Sequence, residues 1–195
     1  MTVAPAGADS SEIWQQQCGV CHGAAGEGNR ALGAPALTQL SSDYLTRQLT
    51  HFINGVRGAD PKDQAGHRMA LSVALLAPSD IPALAAFIST DLPPSRPEAT
   101  RKGDAARGKD YYTHLCSACH GGNALGNPIL GAPALAGASD WYLKSSYQSF
   151  LDGLRGQHAD DVYGAQMARL APALADEDDL DDVIAHIMTL PPKRS

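Results

Sequence analysis

The chain has 195 residues, a formal net charge of −6 at pH 7 and only 6% aromatic residues. This negative balance argues against a nucleic-acid partner, because phosphates require a basic surface, and it is compatible with docking onto a basic protein. No stretch approaches the roughly 18–20 apolar residues that a membrane span requires. The length allows one large domain or two small ones, and a small domain has little core of its own.

The first feature along the chain is Cys18-Gly-Val-Cys21-His22, which recurs as Cys116-Ser-Ala-Cys119-His120. Cys-x-x-Cys-His is the attachment motif of haem c, in which two thiols bond the porphyrin edge and the next residue offers its imidazole to the iron. All four cysteines belong to these motifs, so none is left for a disulfide or a thiolate ligand. Two covalent haem c groups are therefore predicted, with His22 and His120 as iron ligands.

An internal repeat relates the two motifs, because a shift of 98 residues aligns further features without a gap. The matched pairs are Gly33-Ala-Pro35-Ala-Leu37 with Gly131-Ala-Pro133-Ala-Leu135, Tyr44-Leu45 with Tyr142-Leu143, Phe52 with Phe150, Arg57 with Arg155, Met69-Ala70 with Met167-Ala168, and Leu92-Pro-Pro94 with Leu190-Pro-Pro192. The proline-rich residues 93–101 cannot continue a helix. We expect a boundary near Arg96, with an N-terminal domain of residues 1–95 and a C-terminal domain of residues 96–195.

The expected fold class is all-α, with each small domain wrapped around one haem. A short helix from about Ser10 or Asp104 approaches the first cysteine, since serine and aspartate are suitable N-caps. A second helix, around residues 44–54 or 141–152, ends at a glycine. The last helix has an apolar stripe at i, i+3, i+4 and i+7, formed by Ile81, Leu84, Ala85 and Ile88 and then by Leu180, Val183, Ile184 and Ile187. These stripes are one residue out of step under the 98-residue shift, which predicts different packing of the two terminal helices.

The second axial ligand of each iron decides between electron transfer and catalysis. Met69 and Met167 each lie 47 residues beyond the motif histidine of their half, whereas Met188 aligns with Thr90. A thioether ligand favours ferrous iron and raises the reduction potential. Both methionines could instead be core residues, but their duplication favours ligation. No histidine outside the motifs recurs, and His67, two residues before Met69, is the competing ligand.

Three further repeated pairs are candidate haem-binding residues. Pro35 and Pro133 lie in Gly-Ala-Pro turns that could present a carbonyl to the ligating imidazole or could only shape the loop. Arg57 and Arg155 could pair with haem propionates or could be solvated. The third pair is Tyr44 and Tyr142, whose side chains could bind propionates or fill the core.

On these motifs and spacings the chain resembles class I c-type cytochromes. The tandem arrangement is similar to the dihaem cytochrome c-four family and to the dihaem subunits of flavocytochrome sulfide dehydrogenases. The resemblance covers residues 10–192 and implies two cytochrome c folds, a short contact between the haems and periplasmic electron transfer.

Three functions remain open at this point. The leading one is a periplasmic carrier that passes single electrons between redox protein partners, such as a dehydrogenase or a terminal oxidase or reductase. The second is the cytochrome subunit of a dehydrogenase complex with a flavin- or molybdenum-containing partner. The third is a dihaem enzyme such as a peroxidase or a thiosulfate-oxidising cytochrome. The matched methionines argue against a peroxidase, and the absence of spare cysteines excludes thiolate-ligated variants. Residues 1–10 lack the features of a signal peptide, and because haem c is generally attached outside the bacterial cytoplasm, we expect them to be a processed mature terminus.

Overall fold

The computed structural model describes residues 9–97, 99–100, 102–174 and 176–192. Within them lie ten α-helices: α1 Ser10–Ile13, α2 Gly19–His22, α3 Ser42–Ile53, α4 Gln64–Val73, α5 Ile81–Thr90, α6 Ala105–Tyr111, α7 Ser117–His120, α8 Asp140–Leu151, α9 Val162–Leu170 and α10 Glu177–Thr189. The described residues form no strand, only single bridges between Asn29 and Ala34 and between Asn127 and Ala132. The all-α prediction is confirmed, and the first five helices repeat as the second five.

A π-helical segment precedes the first cysteine of each motif. Residues Trp14–Cys18 join α1 to α2, and Tyr112–Cys116 join α6 to α7. Such wide turns are rare and are often found at functional sites. The prediction that Ser10 caps the first helix is wrong, because Asp9 is the N-cap and its side chain accepts from Ser11 N at 3.0 Å. Asp104 caps α6 as predicted.

Each half has its own apolar core. In the first half α1, α3 and α5 bury Trp14, Leu45 and Phe52 together with the whole predicted stripe of α5. In the second half the stripe of α10 is buried around Tyr112, and α10 packs along α6. Burial of these apolar side chains, at about 25 cal/mol per Å², is the main force that assembles each half.

The terminal helices differ in register by one residue, as predicted. Leu76 and Leu174 are matched and buried, but the next buried residue is Ile81 in the first half and Leu180 in the second, five and six residues later. The extra residue shifts the buried stripe of α10. At the repeat counterpart of Leu84 the second half therefore carries Asp182, which is buried and ion-paired with Arg107.

The two halves are joined by an extended connection between α5 and α6, and the proposed boundary at Arg96 falls within it. Thr100 in this connection accepts from Arg30 Nη1 at 2.7 Å and donates through its hydroxyl to Asp140, which anchors the connection to both halves. None of the helices in the described part of the chain is both long and apolar enough to cross a membrane.

Candidate functional site

Each half encloses a cavity lined by its own Cys-x-x-Cys-His motif and its own repeated methionine. In the first half the cavity is lined by Cys18, Cys21, His22, Pro35 and Met69. The helical stretch through α2 presents the cysteines and the histidine, and α4 presents the methionine. The Asp63 side chain fixes the start of α4 by accepting from Gly66 N at 2.8 Å.

The second half repeats this arrangement. Its cavity is lined by Cys116, Cys119, His120, Pro133 and Met167. The cap of the methionine helix is repeated as well, since Asp161 accepts from Gly164 N at 2.9 Å. The competing histidine is placed differently: His67 is exposed and does not line the first cavity, and its Nδ1 lies 3.3 Å from Gly58 O.

Both motif histidines are oriented by a proline carbonyl. His22 Nδ1 lies 2.8 Å from Pro35 O, and His120 Nδ1 lies 2.9 Å from Pro133 O. Because a carbonyl only accepts, Nδ1 carries the proton and donates, which leaves Nε2 with a free lone pair. Burial lowers the pKa of both imidazoles, and the carbonyl hydrogen bond acts in the opposite direction. A buried, neutral imidazole with this tautomer is suited to bind a metal ion.

The loop after each histidine is held by the aromatic residue that opens the π-helical segment. Trp14 Nε1 donates to Ala24 O at 2.9 Å, and the Tyr112 hydroxyl donates to Gly121 O at 2.7 Å. Both side chains are at most 2% exposed. Each half thereby ties the approach to its first cysteine to the loop beyond its histidine.

No disulfide joins any of the four cysteines. Burial, and then the neighbouring cysteine, raises the pKa of the Cys18 and Cys116 thiols to about 11. No group of three or more His, Cys, Asp or Glu side chains among the described residues could hold a metal ion. The spacing of the two cysteines in each half, followed at once by a histidine, fits two thioether bonds to one haem.

The two cavities share a wall. The side chains that line both belong to the two halves and are Leu40, Tyr44, Gln48, Tyr142, Ser146 and Arg155. Helices α3 and α8 supply all of them except Leu40 and Arg155. Groups bound in the two cavities would consequently lie close together, across one layer of side chains.

Two cations, the buried Arg155 and the partly buried Arg57, form a cluster at this wall. Arg57 donates to Gln48 Oε1 at 2.6 Å and to the Tyr142 hydroxyl at 3.3 Å. Arg155 donates to Ser146 Oγ and to Gln48 Oε1, the latter at 3.5 Å. Their guanidinium groups stack at 4.6 and 4.4 Å on the matched rings, Phe52 and Phe150. This stacking accounts for the repetition of both the arginine and the phenylalanine.

Asp161, which lines the second cavity, acts on Arg155 through its charge. Neither Arg57 nor Arg155 forms an ion pair within the described residues, and the Nε of each is buried without a hydrogen-bond partner. Burial alone would raise the pKa of Tyr142, but the two guanidinium groups outweigh it and lower that pKa to about 8. Buried cations require a counter-charge, and haem propionates fit this need. The paired thiols, the oriented imidazole, the methionine and the cations together match what haem c requires.

One charged residue of the site was missed from the sequence because it is not repeated. Arg47 on α3, whose counterpart is Ser145, belongs to the first half but lines the cavity of the second. Its Nη2 donates to Gly131 O at 2.6 Å. No local pattern marked this residue, since its hydrogen-bond acceptor lies 84 residues further along the chain.

Comparison with known proteins gives the same result. The family model described as cytochrome c matches the chain twice, over residues 8–91 and 105–191. The chain is 35% identical over 150 residues to a thiosulfate dehydrogenase electron acceptor of Thiomonas intermedia, covering 71% of this chain and 64% of that relative. It spans 64% and 46% of the lengths of the first two curated relatives that it matches.

Two solved structures have a similar fold over nearly the whole chain. Cytochrome c4 of Acidithiobacillus ferrooxidans superposes with a TM-score of 0.73 at 25% identity, covering 90% of this chain and 99% of that one. Thiosulfate dehydrogenase from Marichromatium purpuratum superposes with a TM-score of 0.71 at 28% identity, covering 93% of this chain and 40% of that one.

Proposed function

Because this chain belongs to the cytochrome c family, with two haem c domains in tandem that serve electron transfer, we propose that it is a periplasmic carrier between redox proteins. His22 and Met69 would hold the iron of the first site, and His120 and Met167 would hold that of the second. The protein itself makes and breaks no substrate bond. It takes up one electron at a time and passes it across the shared wall between the two sites.

The observation that carries this proposal is the position of the two methionines. Each lies at the same distance along the chain from its histidine and lines the same cavity as that histidine. Two axial protein ligands would leave no open position on the iron, which suits electron transfer and opposes binding of peroxide or oxygen. The haem supplies the one-electron chemistry, and the protein sets its potential and excludes water.

The remaining repeated residues have supporting roles in this proposal. The carbonyls of Pro35 and Pro133 hold the imidazoles at the angle needed for ligation and increase their basicity. Arg57 and Arg155 bind propionates by charge-assisted hydrogen bonds, which offsets the cost of burying them. Tyr44 and Tyr142, which line both cavities, lie between the two sites.

Separate replacement of Met69 and Met167 by alanine tests the ligation. Each change is expected to lower the potential of one haem, to abolish its sulfur-to-iron absorption band and to leave the other haem nearly unchanged. Met188, which packs in the second core, provides the control: Met188→Ala lowers stability but leaves both potentials in place. Potentials that do not move in either Met69→Ala or Met167→Ala would refute methionine ligation.

A second candidate is the electron-accepting subunit of a dehydrogenase, favoured by the similarity to the Thiomonas intermedia electron acceptor and to the Marichromatium purpuratum enzyme. Rapid mixing with a reduced thiosulfate dehydrogenase tests whether this chain accepts its electrons, and co-purification from the native host distinguishes a subunit from a free carrier. Fast reduction together with stoichiometric co-purification from the native host favours a subunit, whereas fast reduction without co-purification favours a free carrier. Rapid carbon monoxide binding with peroxide turnover would instead indicate a dihaem enzyme.

The periplasmic location rests on the chemistry of haem c, which is generally attached outside the bacterial cytoplasm. Fractionation of the native host, followed by haem staining of the soluble periplasmic and cytoplasmic fractions, tests it. A haem-stained band of this chain confined to the cytoplasm would contradict the proposed location.

A further inference from the structure

One arginine is shared by the two cavities. Arg57 lines only the first cavity, Arg47 lines only the second, and Arg155 lines both. Each cavity therefore has two guanidinium groups, although three arginines supply all four places. One acidic side chain lines each cavity as well, Asp63 in the first and Asp161 in the second, so the two cavities are matched in charge.

The guanidinium of the shared arginine is held by groups from both halves. Arg155 donates to Gln48 Oε1 of the first half at 3.5 Å and to Ser146 Oγ of the second. It also lies 4.4 Å from the ring centre of Phe150. Arg155 is buried, with 8% of its surface exposed, whereas the other two arginines are only partly buried. A buried charge in a fixed position is screened much less by salt than an exposed one.

The charge of Arg155 is only partly compensated by the described residues. Its Nε is buried without a hydrogen-bond partner. Asp161 acts on it through its charge, but no ion pair joins the two side chains among the described residues. A buried cation in this condition favours negative charge beside it. Reduction of a haem adds one negative charge to its site, so a fixed cation that faces the site stabilises the reduced state.

From this placement we infer that Arg155 is a counter-charge common to both haems, which raises the two reduction potentials together. The difference between the potentials, and with it the direction of electron transfer between the sites, then does not depend on Arg155. Arg57 and Arg47 each act on one site, and Arg47 does so from the opposite half of the chain. Each reduction adds one electron and moves no proton at Arg155, because a guanidinium stays charged in proteins. The inference rests on the two-haem carrier of the proposed function and adds to it a single side chain that sets the potential of the pair.

The three arginines provide a matched set of variants. Arg155→Gln and Arg155→Met remove the shared charge, and Arg155→Lys keeps it. Both neutral variants are expected to reduce the equilibrium constant for reduction of each haem about three- to tenfold, tenfold being about 59 mV for one electron. Arg155→Lys retains most of both potentials. The single-site controls are Arg57→Gln, which should lower only the N-terminal potential, and Arg47→Gln, which should lower only the C-terminal one.

The measurement is a redox titration of the complete dihaem protein, followed by NMR. Backbone amides of α2 report the N-terminal site and those of α7 the C-terminal site, so each midpoint is assigned without assuming which residue is the sixth ligand. Peroxide turnover by the unaltered protein would refute the proposed carrier function, whatever the variants do.

The inference about Arg155 is overturned separately. It fails if the neutral variants shift only one midpoint or neither, or if Arg155→Lys lowers both midpoints as far as Arg155→Gln does. It also fails if neither neutral variant retains both haems, because the residue would then serve the fold and not the potentials. A fall of both midpoints in either neutral variant, with one-site shifts in Arg57→Gln and Arg47→Gln, supports it.

Discussion

Replacement of Gly28 by alanine tests whether the tight loop under each haem sets both stability and potential. Gly28 has φ +87°, its N–H donates to His22 O at 2.7 Å, and an added Cβ would lie 2.6 Å from Ala36 N and 2.9 Å from Pro35 C. The left-handed backbone costs alanine about 1–2 kcal/mol, and the steric conflict adds about 1–3 kcal/mol. Gly126, in the second half, has the same geometry, with Pro133 C at 2.7 Å.

Gly55 is the matched control, because it has φ +69° and no atom within 4 Å of an added Cβ. Gly55→Ala is expected to cost only the backbone part, whereas Gly28→Ala costs about 2–5 kcal/mol in all. The melting temperature of a domain of this size changes by about 4–8 °C per kcal/mol of stability, so thermal unfolding resolves the difference between Gly28→Ala and Gly55→Ala. Displacing the Pro35 carbonyl also weakens its bond to His22, reduces the basicity of the ligand and raises the potential of the N-terminal haem. Equal unfolding temperatures for Gly28→Ala and Gly55→Ala, with an unchanged potential, would refute this reasoning.

Three further predictions concern the second half and the interface. Burial would raise the pKa of Asp182, but the hydrogen bond from Asp104 N–H and the interaction with Arg107 outweigh burial and lower that pKa. The stability that Asp182 contributes is therefore fully present above its unfolded-state pKa of about 3.9. It is lost as the pH falls through the pKa of Asp182 in the folded protein. Asp182→Asn should be less stable at pH 7 and less sensitive to acid, and an unchanged pH profile of thermal unfolding would contradict this. Gly108→Ala should lower the unfolding free energy by about 1–3 kcal/mol or more, because an added Cβ would collide with the Asp182 backbone. Gly122→Ala is the control and should not lower it, because the space around Gly122 is open. Chemical unfolding of the two variants makes the comparison. Tyr142→Phe removes an acceptor of Arg57 and should cost about 0.5–1.5 kcal/mol of unfolding free energy, and a stabilised variant would count against that bond.

The repeat made most of the fold predictable. Periodicity identified the buried stripes of α5 and α10 and their one-residue offset, because burial on one helix face imposes a 3.6-residue period. The two Cys-x-x-Cys-His motifs predicted two haem c groups because the short spacing lets both cysteines and the histidine of a motif reach the same haem. Neither inference needed contacts between residues distant in sequence.

One residue of the site could not be predicted from the sequence because its position depends on contacts between the halves. Arg47 meets Gly131 and Tyr163 only because α3 lies against the second half. The π-helical turns before Cys18 and Cys116 have no recognised sequence signature. The N-cap is Asp9 and not Ser10 because aspartate and serine can both cap a helix, so residue type does not choose between these neighbours.

The cation cluster at the shared wall has the geometry of a two-fold axis. Arg57 of the first half donates to Tyr142 of the second half. The matched residues Gln48 and Ser146 accept hydrogen bonds from the matched arginines, Arg57 and Arg155 respectively. Six side chains of this wall line both cavities. Contacts of this reciprocal kind are those of an assembly of two identical subunits. Identical subunits would have to carry an arginine at both sides of the axis or at neither. Joining two copies in one chain removes that constraint, so that one copy can hold Arg47 while the other holds Ser145.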